Sequence, residues 1–134
     1  MATVVVNGGQ TIPSGRMIGS TPSQAEPKYI GWGTGAGTAA AADTTLFSER
    51  DVDLAATSGT RTTGTSSQVT TTQTNDTYQV TGTRTATGSG TVTNAGLWDN
   101  ATMGSGTLYV KGDFTGIALT SGDSIAFTFK VKFA

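Results

Sequence analysis

The chain has 134 residues, of which 35% are hydrophobic and 13% charged, and it contains no cysteine and no histidine. Its formal net charge of −1 provides no basic footprint for nucleic acid. The missing side chains remove the usual general base, zinc ligands and thiol nucleophile, so we predict no enzyme, no cofactor and no metal site.

Glycine, threonine, serine and alanine replace the missing charged and large apolar residues. Threonine suits a pleated strand because its Cβ is branched, so the composition predicts an all-β protein. The length favours one domain. A modest apolar content without disulfides predicts stabilisation by association with copies of itself or with a larger surface. No apolar run is long enough to cross a membrane and no signal-peptide pattern is visible, so we expect synthesis in the cytoplasm and no membrane partner.

The first 27 residues are predicted to form an extended N-terminal arm. A β-branched run, Thr3–Val6, predicts an edge strand, and the prolines between Gln10 and Pro27 argue against both helix and central strand. The arm either is untethered or docks on a neighbouring molecule. Its apolar residues are the candidate contacts: Val4, Val5, Val6, Ile12, Met17 and Ile18.

Residues 28–134 are predicted to form a single β-sandwich domain. Its first part contains a strand at Lys28–Trp32, a flexible loop at Gly33–Gly37 and a short helix starting at Ala39–Ala42. The charged run Glu49–Asp53 is interpreted as a solvated surface segment, paired with Arg50 or Arg61, rather than as a calcium site.

The second part of the domain alternates apolar and polar residues, the pattern of a strand with one buried face. Antiparallel neighbours at hairpin spacing predict a β-sandwich or a small β-barrel. We expect a loop over 55–67, strands at Gln68–Thr74, Thr77–Thr85, Gly90–Trp98 and Leu108–Phe114, a link containing Ile117 and Leu119, and a last strand at Asp123–Phe133.

Three aromatic residues are further candidate contacts. Trp32 and Trp98 fit either platforms for stacking on sugar rings or buried core residues. Tyr109 alternates with Leu108 and Val110 and so belongs to the opposite face of its strand. The glycines of 31–37 superficially resemble a dinucleotide-binding loop, but the βαβ frame that such a loop needs is missing.

A set of short motifs resembles small structural proteins of tailed bacteriophages, either head decoration (cement) proteins or tail-fibre-like proteins. The motifs are Tyr29–Gly35, Asp43–Leu46 with Glu49, Tyr78–Thr83, Ala95–Asp99 and the turn Ser121–Ser124. They cover residues 28–134 and leave the arm outside.

The resemblance implies a β-sandwich without catalysis that binds virion surfaces. We expect a capsid decoration protein on the phage head, with the major capsid protein and itself, as a homotrimer, for partners. The alternative is a tail-fibre or tail-tip module that binds a host surface glycan through aromatics at the Trp32 loop or the 99–106 connection.

Overall fold

The computed structural model describes residues 1–18 and 24–133, which contain nine strands and one short α-helix. The helix α1 spans Thr11–Arg16 and follows a 3₁₀ turn at Gly8–Gln10. The strands are β1 (Thr3–Val5), β2 (Tyr29–Gly33), β3 (Glu49–Arg50), β4 (Thr62–Thr63), β5 (Thr65–Val69), β6 (Thr77–Thr85), β7 (Gly90–Trp98), β8 (Leu108–Leu119) and β9 (Ser124–Lys132).

The strands form two antiparallel sheets, which confirms the predicted all-β, sandwich-like architecture. The larger sheet has the order β1-β8-β7-β2-β3, with β4 also paired to β2, and the smaller has the order β5-β6-β9. Two separate sheets make the fold a sandwich rather than a closed barrel.

The main core lies between the two sheets. Val80 of β6 and Phe129 of β9 pack with Ile30, Trp32 and Leu97 of the larger sheet. Alternation on β9 is confirmed from Ile125 to Val131. Phe133 continues the same alternation in the sequence and would face the core in a strand of the predicted length, but it is 56% exposed because β9 ends at Lys132.

Residues 34–61, which we call the strap, cross the other face of the larger sheet at Leu46, pair with β2 as β3, and return to the main core at Leu54. Leu46 of the strap packs with Val6, Trp98 and Leu108 in a second apolar cluster. A Cβ on Gly96 would lie 2.9 Å from Leu46 and 2.5 Å from a backbone oxygen of β8, so the strap can approach only because the side chain is absent.

The predicted wet faces of β7 and β8 are therefore wrong where the strap covers them. Lys111 is fully buried against the strap. Tyr109 is 2% exposed for another reason, since it packs in the main core with Ile12 of α1. Asn94 of β7 is also buried, and its side chain acts as a strand partner for the strap: Oδ1 accepts from the Phe47 N–H at 3.0 Å, and Nδ2 donates to the Phe47 carbonyl at 3.0 Å.

The predicted arm contributes to the body over its first part. β1 pairs with β8 at the edge of the larger sheet, as the edge-strand prediction requires. The exclusion of helix between Gln10 and Pro27 is wrong, since α1 contains Pro13. That proline lies in the first helical turn, where its missing N–H has no intrahelical partner to lose. Residues 19–23 of the predicted arm lie outside the described residues.

Two further element predictions are corrected. Ala39–Ala42 forms no helix: Asp43 closes a turn by accepting from the Ala40 N–H at 3.0 Å. The strand predicted at Gln68–Thr74 is displaced toward the N-terminus, because residues 70–76 form a turn in which Asp76 accepts three backbone N–H groups, from Thr71, Thr72 and Gln73.

The last loop prediction also differs from the structure. The predicted link with Ile117 and Leu119 belongs to β8, which continues to Leu119 through an irregularity opposite Val92–Asn94 of β7. Thr115 and Gly116, which precede Ile117, are compatible with a bulged strand as well as with a loop.

Candidate interaction surface

Three buried cationic side chains pair with carboxylates of the strap; Arg61 is the strap's own last residue, whereas Arg84 and Lys111 join it to the rest of the fold. The Arg61 Nε lies 2.7 Å from Glu49 Oε1, the Arg84 Nη2 lies 3.2 Å from Asp51 Oδ1, and the Lys111 Nζ lies 2.8 Å from Asp43 Oδ2. All three cations are at most 2% exposed. The strap supplies every carboxylate of the set. It is therefore fixed by charge as well as by packing.

Each of these cations also lies over an aromatic ring. The distances to the ring centroid are 3.8 Å for Arg61 on Trp98, 5.1 Å for Arg84 on Trp32 and 3.2 Å for the Lys111 Nζ on Phe47. A desolvated cation gains from the negative face of a ring. Trp32 and Trp98 thus serve as buried partners of arginine.

The sequence identified one of the three ion pairs. Pairing of the charged run with Arg61 is confirmed for Glu49, although that carboxylate is largely covered and not solvated, with a side chain 14% exposed. Arg84 was missed, yet its spacing carried a signal. It follows Tyr78 and Val80 at even intervals along β6, which places it on their inward face.

An exposed apolar region lies at one end of the sandwich, next to α1. A cavity of about 350 Å³ opens there between α1 and the smaller sheet. Met17 and Ile18 continue from the cavity-lining Arg16 and are 85% and 71% exposed. We call this region the apolar end and define it as Ile12, Pro13, Met17, Ile18, Tyr78, Tyr109 and Phe133.

Polar contacts hold the wall of the apolar end in place. The Tyr78 hydroxyl donates to the Pro27 carbonyl at 3.0 Å, and Arg16 donates to the Gln24 carbonyl at 3.1 Å. Burial, with a smaller contribution from nearby Glu26, raises the pKa of Tyr78, so its phenol stays protonated as a donor. Burial alone would raise the pKa of Glu26, but hydrogen bonds from Ser66 and Lys28 outweigh it and hold that pKa below its usual value.

The predicted contact residues divide into three groups. Met17 and Ile18 are exposed, and Val4 and Val5 are half-buried on the edge strand β1. The remaining five are buried: Val6, Ile12, Trp32, Trp98 and Tyr109. The structure brings Ile12 and Tyr109 to the wall of the cavity at the apolar end, whereas Val6 and Trp98 belong to the cluster beneath the strap. Sugar stacking on Trp32 or Trp98 is therefore excluded in this fold, since neither ring face is accessible.

Phe133 is an exposed residue of the apolar end that the sequence did not identify as a candidate contact. Its place in the alternation of β9 suggested the core, but the strand ends one residue earlier and Phe133 lines the cavity. Its position as the last apolar residue of an alternating run was the available signal, because strand ends lose the cover of neighbouring strands.

The part of the chain described by the structure contains no group of three or more His, Cys, Asp or Glu residues placed to hold a metal ion. Within the same residues, no helix combines the length and hydropathy needed to span a bilayer.

Comparison with known proteins finds no family model, no curated protein and no solved structure that matches this chain.

Proposed function

We propose that the protein is a virion structural protein that binds the outside of a tailed-phage head, with the major capsid protein as its partner, and stabilises the shell without catalysis. The motif resemblance over residues 28–134 supports this class of protein. The observation that carries the proposal is the apolar end, where Met17, Ile18 and Phe133 expose apolar surface beside a cavity. Apolar patches of this kind mark contact sites on otherwise polar proteins.

The mechanism is mass action. A protein that binds the assembled shell but not its separate subunits lowers the free energy of the assembled state in proportion to the logarithm of its concentration over the dissociation constant. The apolar end suits this role because hydrogen bonds to the Pro27 and Gln24 carbonyls already hold its wall, so little order has to be gained there on binding.

The test is the temperature at which heads burst with and without the protein. We expect heads depleted of the protein to burst at a lower temperature, and added protein to restore it. An unchanged bursting temperature at saturating protein would contradict the proposal.

A matched pair of variants tests the apolar end. The double change of Met17→Ser and Phe133→Ser removes two exposed apolar side chains and should weaken head binding by about tenfold or more. Ile117→Ser changes a 41% exposed residue on β8, outside the cavity lining, and should bind normally. Equal binding by both variants would locate the contact elsewhere.

The tail-tip alternative has lost its predicted stacking residues, because Trp32 and Trp98 are buried. Imaging of labelled protein on particles separates the two locations. Label over the head supports a cement protein, and label confined to the tail supports the alternative.

A further inference from the structure

Among the described residues, the outer edge of β9 is a long strand edge without a strand partner. β9 pairs with β6 over all nine of its residues, in an unbroken register, and no other strand of the described residues pairs with it. The strand contains no proline and no inward-pointing charge. Free backbone N–H and C=O groups on such an edge are a template for another strand.

The other edges of the two sheets are less suitable. β1, β3 and β5 offer three, two and five residues. The half of β8 beyond its pairing with β1, residues 113–119, contains the irregularity opposite Val92–Asn94. Bulges and short strands blunt an edge, and β9 has neither feature.

Some inward-facing side chains of β9 are incompletely buried at this edge. Phe129 and Val131 are buried, whereas Ile125 and Phe127 are only partly covered by the core. The rings of Phe127 and Phe129 already stack with centroids 5.9 Å apart. A cavity of about 240 Å³ opens beside Phe127 and Phe129, between β8 and β9.

A second copy of β9 complements this edge in one register. When two antiparallel β9 strands pair over their whole length, Thr128, the midpoint of Ser124–Lys132, lies opposite Thr128 of the second copy. The inner pairs are then wholly apolar, Phe127 with Phe129 and Ile125 with Val131. Lys130 lies opposite Ala126 and Lys132 opposite Ser124, so no two lysines meet.

We propose that two copies of this chain associate through β9, in antiparallel pairing centred on Thr128, to join their smaller sheets into one six-stranded sheet. The contact uses the same surface on both copies and has twofold symmetry. It therefore replaces the homotrimer implied by the resemblance as the proposed assembly. Dimer formation can be measured on the purified chain alone. If no dimer forms, the proposal that the protein binds the phage head is unaffected.

A single cysteine tests the register, because the chain has no cysteine of its own. Thr128 is exposed, and directly opposed strand residues lie about 4.5–5.5 Å apart between Cα atoms, which a disulfide can bridge. Thr128→Cys should form a covalent dimer almost completely under mild oxidation at micromolar concentration, as seen on a non-reducing gel.

Ser124→Cys is the matched control. It places an exposed thiol on the same edge, but its twin would lie about 27 Å away along the strand, eight residues at about 3.4 Å each. It should remain monomeric on the gel under the same oxidation. Cross-linking of neither variant, or of both to the same extent, would overturn the proposed register.

Charge changes at the opposed pair Ala126 and Lys130 provide a second test by sedimentation equilibrium. Ala126→Lys places two like-charge pairs across the contact and should raise the dimer dissociation constant severalfold, to about tenfold, whereas Ala126→Glu should lower it. Ala126 is exposed, so neither change affects the core. Combining Ala126→Lys with Lys130→Glu should restore association. The β9 contact would be contradicted if the unmodified protein sediments as a monomer even at a concentration 100-fold higher than that of these experiments. Sedimentation of the unmodified protein as a trimer would also contradict it.

Discussion

Lys111 shows how a single buried charge holds the strap. Its Nζ donates to Asp43 Oδ2 and to the Thr45 carbonyl, both at 2.8 Å, and it is fully buried, while the Asp43 side chain is 22% exposed. Asp43→Asn removes the charge that compensates a buried cation and should lower the free energy of unfolding by about 2–3 kcal/mol. Lys111→Met leaves a carboxylate that water can reach and should cost less, about 1–2 kcal/mol. Urea unfolding followed by fluorescence measures both.

The surface pair Lys28–Glu26 provides the comparison. Its atoms lie 3.3 Å apart and both side chains are about one-third exposed. Lys28→Met should change the free energy of unfolding by no more than about 0.5–1 kcal/mol. A larger loss for Lys111→Met than for Asp43→Asn would show that the contact with the Phe47 ring, rather than the ion pair, dominates at this site.

Several aspartates predict a loss of stability in acid. The hydrogen bond from Lys111 holds the pKa of Asp43 below its usual value, and the backbone N–H of Ala39 does the same for Asp113, as that of Gln73 does for Asp76. A carboxyl whose pKa is lower in the folded state stabilises the fold above its unfolded pKa of about 4, and that contribution is lost as the pH falls through the folded value.

The urea midpoint should therefore be similar at pH 7 and pH 5 and decrease steadily below about pH 4. Asp113→Asn should make the decrease shallower, since its Oδ1 accepts from both Ala2 and Ala39 in the folded state. A midpoint that stays constant down to pH 2 would contradict this reading of the three carboxyls.

At the scale of the elements, the glycines of β2 and β7 decide how closely the strap lies. Gly96→Ala would place a Cβ 2.5 Å from the Val110 carbonyl oxygen and should cost about 1–3 kcal/mol of unfolding free energy, because a backbone atom must move. Gly8→Ala is the control, since nothing lies within 4 Å of its Cβ position. Equal thermal stability of the two variants would mean that the strap can shift without loss.

The elements that the sequence predicted best are those with a regular two-residue alternation of apolar and polar side chains. Thr77–Thr85 and Gly90–Trp98 are observed with the predicted bounds, since their alternation is regular and Gly88 and Asn75 mark turns nearby. Residues 70–74 have strand propensity, but the Asp76 carboxylate draws their N–H groups into a turn, and propensity alone does not include that competition.

At the scale of the whole molecule, the sequence did not indicate which apolar residues become core. Val6, Ile12 and Tyr109 looked like contacts for a partner, and they are buried because β1, α1 and the strap fold back on the larger sheet. Irregular segments that pack on residues far away in the chain have no regular alternation of apolar and polar residues in their own sequence, so their burial is not visible there. Only Met17 and Ile18, which no segment of the described chain covers, remain fully available as predicted.

The twofold contact through β9 makes thermal stability depend on concentration. Raising the protein from about 1 to 100 μM should raise the unfolding temperature by a few degrees, because the folded dimer is favoured by mass action over unfolded chains. Ala126→Lys should weaken this dependence. Calorimetry of both proteins over that range is the measurement, and identical unfolding temperatures at all concentrations would indicate a monomer.

The burial of Arg61, Arg84 and Lys111 also affects where trypsin can cut the native protein. These residues make up three of the eight lysines and arginines, and none of them can enter a protease active site without unfolding. Arg16, at the end of a one-and-a-half-turn helix and exposed, should be cleaved first. The nicked N-terminal piece should stay bound, since Val6 and Ile12 anchor it in two different clusters of the core.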